Sequence, residues 1–576
     1  MTDKSLPSGF SVARFEHEKF GDDRIVFTFP RTGGRLPGSA VLKANDAHKL
    51  RTVKDALQGS GCALPDNWAI EPLARSLMDH IPDEAGLMAA KPGWKTVGDT
   101  PCFVMPYRAF GSPEGTVWFD PGSADIGAEI KGTLEEWKSS VAEPAVDAPA
   151  AAMAIMAALA CPLLRFSTLT ETFILNIAGE SSSGKSTANK AGWSVWGNDE
   201  HLPKWNATER RMYEDAERRN DLPLVLDDVE VSDKDPEKRM KIISERLHRL
   251  ANGGGADYSK VVSGENQLEP IAFRCIVLSS SPVSVVDHEM KKGTLGTPGD
   301  RVRLLELKVP EGTDGGIWHE SGSGAYESTA ERTDQFLEAM RASHGAAGEA
   351  WIRYLVEHEA KLAKRVGIYI RKFEKLFKYG SSLEHRIAKK IGLLFAAGMI
   401  ARRAGIIPWD KNTITNICVM SYGAVIETAF PDIKIERDAV RRIFEHLRQV
   451  KNYYTVASGQ VLKATTWVGQ WYGKYRADKE HFVIPLRTFQ QVCSDSTDPS
   501  AKLADRLLSQ MRECGALDAS VGKGWTKDVV TADGNRKALV LPKDQISKFL
   551  KGKDPSLSGE AKKARELARK RRNARA

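Results

Sequence analysis

The sequence predicts an α/β protein whose central sheet is parallel, and three observations carry that expectation. Short apolar runs recur between helical patterns: "ETFILNIA", "DLPLVLDD", "AFRCIVLSS" and "RVRLLELKVP". Continuous runs of this length suit strands buried on both faces, as in a parallel sheet covered by helices. The first run leads directly into "GESSSGKST", a glycine- and serine-rich turn with a helical pattern after it. The chain is also long enough, at 576 residues of which 41% are hydrophobic, to bury several cores.

Taken in order, residues 1–145 alternate β-rich runs ("RIVFTFPR", "PCFVMPYRAF", "GTVWFD") with polar helical stretches such as "VLKANDAHKLRTVKDALQG". They read as an N-terminal α/β domain with no catalytic signature and no acidic cluster suited to a metal. The prolines of "EPAVDAPA" make a boundary near 145, because proline biases the residue before it to extended backbone. Residues 146–325 hold the predicted parallel sheet. Within them, "APAAAMAIMAALACPLL" carries no charge and approaches membrane-spanning length. Its alanine content and the motif that follows make it a buried core helix, so no membrane association is expected.

Residues 326–430 read as helical, with amphipathic spacing around Trp351, Leu355 and Leu362 and a long helix ended by Gly405 and Pro408. Residues 431–548 read as helices followed by a hairpin, since "TKDVVTADGNRKALVLP" places Asp533-Gly534 between two β-rich arms. That order predicts a winged-helix-like module. The tail, 549–576, carries eight Lys or Arg between Lys562 and Arg575 against Glu566, the pattern of a solvated interaction tail.

The net charge of +8 is mild for this length and is compatible with a nucleic-acid partner without requiring one. Seven scattered cysteines form no CxxC pair, which argues against a zinc site or a disulfide framework and for a reducing compartment. The first twenty residues contain no apolar core of a secretory signal. A cytoplasmic location is expected.

Gly179, four residues, then Gly184-Lys185-Ser186 fits G-x-x-x-x-G-K-[ST]. Glycines let backbone N–H groups approach phosphates, the lysine reaches the β- and γ-phosphates, and the Ser hydroxyl binds Mg²⁺. The cradle is Gly179, Glu180, Ser181, Ser182, Ser183, Gly184, Lys185, Ser186 and Thr187, with ATP and Mg²⁺ as expected cofactors. A second strand ending in acids should accompany it, and "LPLVLDDVE" supplies Asp227 to hold the metal and Asp228 to orient the attacking water, with Glu230 in reserve. Asp228 is one methylene shorter than the Glu common at that place.

The polar end of "FRCIVLSSSP" offers Ser279 or Ser280 to the γ-phosphate or the water. "GDRVRLLELKVP" offers Arg301 and Arg303 to a neighbour's γ-phosphate, where positive charge stabilises the transition state. Residues two apart on a strand point the same way, so the spacing leaves both open. In "HRLANGGGADYSKVVSGENQ", Tyr258 and Lys260 could stack on and neutralise a single strand.

"GESSSGKSTANKAGWSVWG", "WNATERRMYEDAERRNDLPLVLDDVE", "LANGGG" and "GDRVRLLELKVP" together resemble the DUF927 family of P-loop ATPases. "HRIAKKIGLLFAAGMIARRAGIIPW" resembles the helical segment that follows that core, so the resemblance spans about 150–410. It implies a P-loop NTPase core of AAA+ type, related to superfamily 3-like helicases and encoded by phages, plasmids and other mobile elements. It further implies a ring, as a homo-hexamer, that moves DNA at the expense of ATP. Carried over by position, Gly179, Gly184, Lys185 and Ser186 match its Walker A motif, Asp227 and Asp228 its Walker B motif, and Arg303 its "G-x-x-v-R" arginine. The family pattern has Asp-Glu where this chain has Asp227-Asp228, "STGE" where it has "SSSP", and an earlier Lys in the loop that ends at Lys260. Arg386 falls where a second arginine sensor would lie. An ATP-driven switch or assembly factor of a defence or transposition system, without unwinding, is the alternative, and a non-enzymatic initiator is a third class.

Overall fold

The structure is a computed structural model. It describes the chain except residues 1–5, 33–37, 67, 121–124, 170–172, 206, 227–235, 252–258, 263–264, 293–300, 311–315, 319–327, 378, 380, 450–454, 457–468, 472–480, 494–500, 520–523, 532–533 and 554–576. The polypeptide divides into two compact units: residues 1–374 with 381–422, and residues 375–380 with 423–576. No division between units falls at 145 or at 325, the boundaries expected from composition.

The first unit opens with strands β1 (Ser11–His17), β2 (Asp23–Phe29) and β3 (Gly38–Lys43). Helices α1 (Ala44–Ala47), α2 (Leu50–Gly59) and α3 (Ile70–Asp79) follow. Val41 and Leu42, read above as the start of a helix, belong to β3, where β-branched and apolar side chains pair with Val26 and Ile25 across the ladder. Strands β4 (Ala85–Ala89) and β8 (Val117–Phe119) complete a five-stranded sheet of order β3-β2-β1-β4-β8. Between them, β5 (Gly93–Val97), β6 (Thr100–Met105) and β7 (Arg108–Phe110) form a separate antiparallel sheet.

The proline-rich stretch expected to break the chain is helical instead. Helices α4 (Leu134–Trp137), capped by a Thr133–Glu136 capping box, and α5 (Glu143–Ala145) flank a π-helical turn, and α6 (Pro149–Ala160) follows. Pro144 and Pro149 both sit in a first helical turn, where a missing N–H costs nothing. Every residue of α6 from Ala151 to Ala160 is buried, so the apolar segment is a core helix of this unit.

The parallel sheet then forms from β9 (Phe173–Ala178), β10 (Leu224–Leu226), β13 (Ile276–Ser281) and β14 (Leu304–Lys308), in the order β10-β13-β9-β14. All three ladders are parallel. Between these strands come α7 (Lys185–Trp193), α8 (Glu209–Glu217), α9 (Pro236–Ala251), a hairpin of β11 (Ser259–Val262) with β12 (Glu265–Pro270), and α10 (Val285–Lys292). One face of the sheet packs Ile174, Leu224, Leu226, Val277 and Leu304 against Trp205, Met212 and Tyr213. On the other, α7 crosses α6 closely: a Cβ on Gly192 would meet the Ala154 carbonyl at 2.8 Å.

The helices α11 (Thr329–Ala342), α12 (Ala346–Glu357), α13 (Glu359–Glu374) and α14 (Ser382–Arg403) match the helical reading of this stretch. Ser328 and Ser381 cap the first and last through their hydroxyls. Helix α15 (Lys411–Ala429) passes into the second unit.

That unit holds α16 (Pro431–Gln449), the short strands β15 (Thr455–Val456) and β16 (Gly469–Trp471), β17 (His481–Ile484), α17 (Leu486–Cys493) and α18 (Ala501–Glu513). The hairpin of β18 (Lys527–Thr531) and β19 (Gly534–Pro542), then α19 (Lys543–Lys553), complete it. Strand β19 lies between β17 and β18. Its Leu539 and Leu541 pack with Ile443, Phe489, Leu507 and Met511 into one core. Thr531 pairs with Gly534 at the tip, at the Asp-Gly turn read from sequence; Asp533 itself lies outside the described residues, as does the basic tail from 554.

Candidate nucleotide site

Central strand β9 runs into a loop, Gly179–Gly184, that delivers the chain to α7. Gly184 caps the helix with left-handed backbone, φ +85°. A Cβ there would be strained by φ alone and would sit 2.8 Å from Ile317 Cγ1. Ser182 also has positive φ, +64°. The loop is tied at both ends: the Gly179 N–H donates to the Ser281 carbonyl (3.2 Å), and the Ile317 N–H donates to the Ser183 carbonyl (3.0 Å). Inside it, the Ser183 hydroxyl and the Lys185 ammonium both donate to the Glu180 carbonyl. Lys185, Ser186 and Thr187 form the first turn of α7, whose backbone N–H groups have no intrahelical acceptor and carry the positive end of the helix dipole. This is a cradle with the chemistry for a phosphate chain.

A row of polar groups crosses the sheet beside it. Register pairs Ser279 with Asn176 and Asn176 with Glu306, on one face of three neighbouring strands. Asn176 Nδ2 donates to Ser281 Oγ and to Glu306 Oε2, both at 2.9 Å. Glu306 also accepts from the Ser284 hydroxyl and from the Val285 N–H (2.9 Å). Burial pushes the Glu306 carboxyl above the usual glutamate range, against the pull of these donors. Two atoms of the row, Ser279 Oγ and Asn176 Oδ1, are buried with no hydrogen-bond partner. Leu226, the last residue of β10 before Asp227, pairs with Ser279. The unpartnered Ser279 hydroxyl therefore stands one strand away from the C-terminal end of β10, and an orphaned buried group is costly unless something fills it. Ser280 points to the opposite face by strand alternation, so the row distinguishes the two serines.

Asn176 and Glu306 were not among the residues singled out from sequence. Their signal was a polar letter inside each apolar run, in "FILNIA" and in "LLELK".

The arginines lie elsewhere. Arg303 immediately precedes β14, and its carbonyl accepts the Ile174 N–H at 2.9 Å, at the start of β9. Five residues of strand separate Ile174 from Gly179, so this turn and the Gly179–Gly184 loop are about 16 Å apart along the sheet. Within the chain the sequence-predicted arginines and Lys185 are at opposite ends of β9. The turn is held from outside: Lys390 of α14 is fully buried, donates to the Val302 carbonyl (2.8 Å), and lies 5.9 Å over the Phe173 ring. Arg386 is one turn before Lys390 on α14, at this arginine end.

Asp227, Asp228, Glu230 and Tyr258 lie outside the described residues, as does the side chain of Lys260, which sits on β11 of the hairpin. Among the described residues no group of three or more His, Cys, Asp or Glu could hold a metal ion.

The family described as "Domain of unknown function (DUF927)" matches residues 52–265. The match begins well inside the N-terminal part and ends within the hairpin, whereas the resemblance read from sequence began near 150 and ran to 410. It takes in the Gly179–Gly184 loop and β10 but not β13, the arginines or the helical segment. A solved structure described as "SCCmec type IV Cch - active helicase" superposes with a TM-score of 0.53 at 16% identity, covering 95% of each chain. At that identity the likeness is one of fold, and it runs through both units. No curated protein matches the chain.

Proposed function

We propose that the chain is an ATP-dependent DNA helicase or translocase of a phage, plasmid or other mobile element, with a P-loop NTPase core of AAA+ type and working as a homo-hexameric ring in the cytoplasm. One observation carries the reading: a lysine-bearing phosphate loop closes one end of the central strand β9, and arginines stand at the other. An arginine that reaches the γ-phosphate must then come from the next subunit. The fold likeness to a chain described as an active helicase supports the same reading.

In this account Gly179–Thr187 hold the phosphates of ATP, and Ser186 with Asp227 hold Mg²⁺, which neutralises charge on the β- and γ-phosphates. The Lys185 ammonium exchanges the Glu180 carbonyl for phosphate oxygens. Asp228 accepts a proton from the attacking water while Ser279 Oγ, unpartnered now, orients it. Arg303, or Arg301, stabilises the transition-state charge in trans. The β11–β12 hairpin, with Tyr258 and Lys260, grips a single strand. The second unit acts as a winged helix: α16, β17, α17 and α18 lead into the β18–β19 hairpin, and the order β17-β19-β18 supports that assignment. With the basic tail it adds sequence-tolerant phosphate contacts.

Asp228, shorter than the usual Glu, keeps the second reading in play: an ATP-driven switch or assembly factor that does not unwind. A forked duplex with one labelled strand separates them. ATP-dependent strand displacement supports the helicase. DNA-stimulated turnover without displacement selects the switch, and absence of both selects an initiator that binds ATP only structurally.

A further inference from the structure

At the N-terminal ends of the parallel strands, β5 covers a cavity of about 420 Å³ lined by Glu18, Trp94, Lys95, Thr96, Arg165 and Arg274. Its charges do not balance. Glu18 is occupied by the buried Lys95 ammonium and by the Ala90 N–H (3.0 Å). Arg274 is held on Asp221, Nη2 to Oδ2 at 2.9 Å, and Asp221 is fully buried. Burial, and after it the nearby charge of Lys91, disfavour the Lys95 ammonium against the pull of Glu18, while Lys91 itself donates to the Ala272 carbonyl. Arg165 stacks over the Trp94 and Phe166 rings at 5.4 and 5.8 Å, and no carboxylate lies within ion-pair distance of it among the described residues. Three cations, Lys95, Arg165 and Arg274, thus line the cavity; Glu18 and Asp221 pair with Lys95 and Arg274, and the Arg165 charge is left over.

The walls are built rather than incidental. Asp221 adopts left-handed backbone, φ +60°, while accepting the Trp94 N–H at 3.0 Å. A Cβ on Gly93 would meet its Oδ2 at 2.4 Å. A strained, buried acid holding an arginine at the rim of a cavity is the kind of arrangement that persists where the surroundings over-determine it.

We propose that this cavity is a phosphate-binding site, filled in the working protein by the backbone of a bound nucleic-acid strand. Surplus positive charge selects an anion. The aromatic wall is closed: Trp94 is 6% exposed with Arg165 over its face, so no ring is offered to a base. Such a site reads phosphate and not sequence, which favours a strand over a free nucleotide, whose affinity would draw on its base. The site itself does not depend on the helicase reading; only the strand as its source does.

The test uses the full chain in a Lys185→Ala background, so that the phosphate loop does not compete. Arg165→Glu and Thr96→Glu change exposed residues of the lining, and Arg51→Glu, on the surface of α2, is the control. Folding is checked by circular dichroism. Short oligo(dT) is titrated by fluorescence anisotropy across a salt series, and inorganic pyrophosphate by calorimetry. The two lining variants should each weaken oligo(dT) binding several-fold and flatten its salt dependence by about 0.7 in log–log slope, one phosphate's share on a single strand. Pyrophosphate should bind the background protein and lose affinity in both variants, with Arg51→Glu unchanged throughout. Loss of pyrophosphate with unchanged oligo(dT) binding keeps the site and overturns the strand as its ligand. No change with either probe overturns the proposal. If the background protein binds no oligo(dT), the nucleic-acid reading of the protein fails, and the pyrophosphate titration still decides the site.

Discussion

Mixing two inactive variants tests whether the arginine acts between subunits. Lys185→Ala removes the ammonium proposed to reach the phosphates and Arg303→Ala the guanidinium proposed to act from the next subunit. The roughly 16 Å of β9 between their two ends of the sheet exceeds what an arginine side chain spans, so one subunit cannot join both in one site. An arginine acting in trans is worth about 10³–10⁵ in kcat, so each variant alone should be close to inactive. In a ring assembled at random from equal amounts, roughly one interface in four joins an intact Lys185 to an intact Arg303, so turnover should recover to about 25% of wild type. The assay is steady-state phosphate release after co-refolding or subunit exchange, compared with the variants kept apart. The same experiment with Arg301→Ala identifies which arginine acts. Mixtures no more active than their separate components, with both arginine variants inactive alone, would refute the trans assignment.

Three further outcomes follow from the core. Lys390→Met leaves the buried Val302 carbonyl without its donor, a loss of about 1–3 kcal/mol offset in part by no longer burying an ammonium. Because Lys390 holds the arginine turn and not the loop, kcat should fall while KM for ATP stays near wild type; a change in KM alone would contradict this. Gly192→Ala should destabilise the first unit by about 1–3 kcal/mol in urea unfolding, since its Cβ would stand 2.7 Å from Leu278 Cδ1 and 2.8 Å from a backbone oxygen. Glu306 has a folded pKa raised by burial, so its contribution to stability is present at acid pH and is lost as pH rises through the folded value. Glu306→Gln should therefore hold its thermal midpoint better than wild type at pH 8, with the gap closing near pH 4; the reverse order would show that the hydrogen bonds to the carboxylate outweigh its burial.

How much of this was legible in the sequence depends on the range of the forces involved. The turn from β9 into α7 was legible, because the backbone at Gly184 needs a glycine and the motif is local. The parallel strands were legible because burial on both faces writes continuous apolar runs. The helices around Pro144 and Pro149 were not legible, since prolines in a first helical turn and prolines in a break look alike until the helix register is known. The Asn176–Glu306 row and the Lys390 support were not legible: each joins residues more than eighty apart, and the local trace of the row is one polar letter in an apolar run. The cavity at Arg165 and Arg274 was hidden for the same reason, as its charges come from four separate stretches of chain.

The measurement that bears most directly on the central claim is ATP hydrolysis by the wild type and by Lys185→Ala, each with and without single-stranded DNA. A DNA-driven motor predicts turnover that DNA raises several-fold and that the substitution abolishes. A wild type that binds ATP yet shows no turnover with DNA present would contradict the claim, and would mark Asp228 as a base too short for its task.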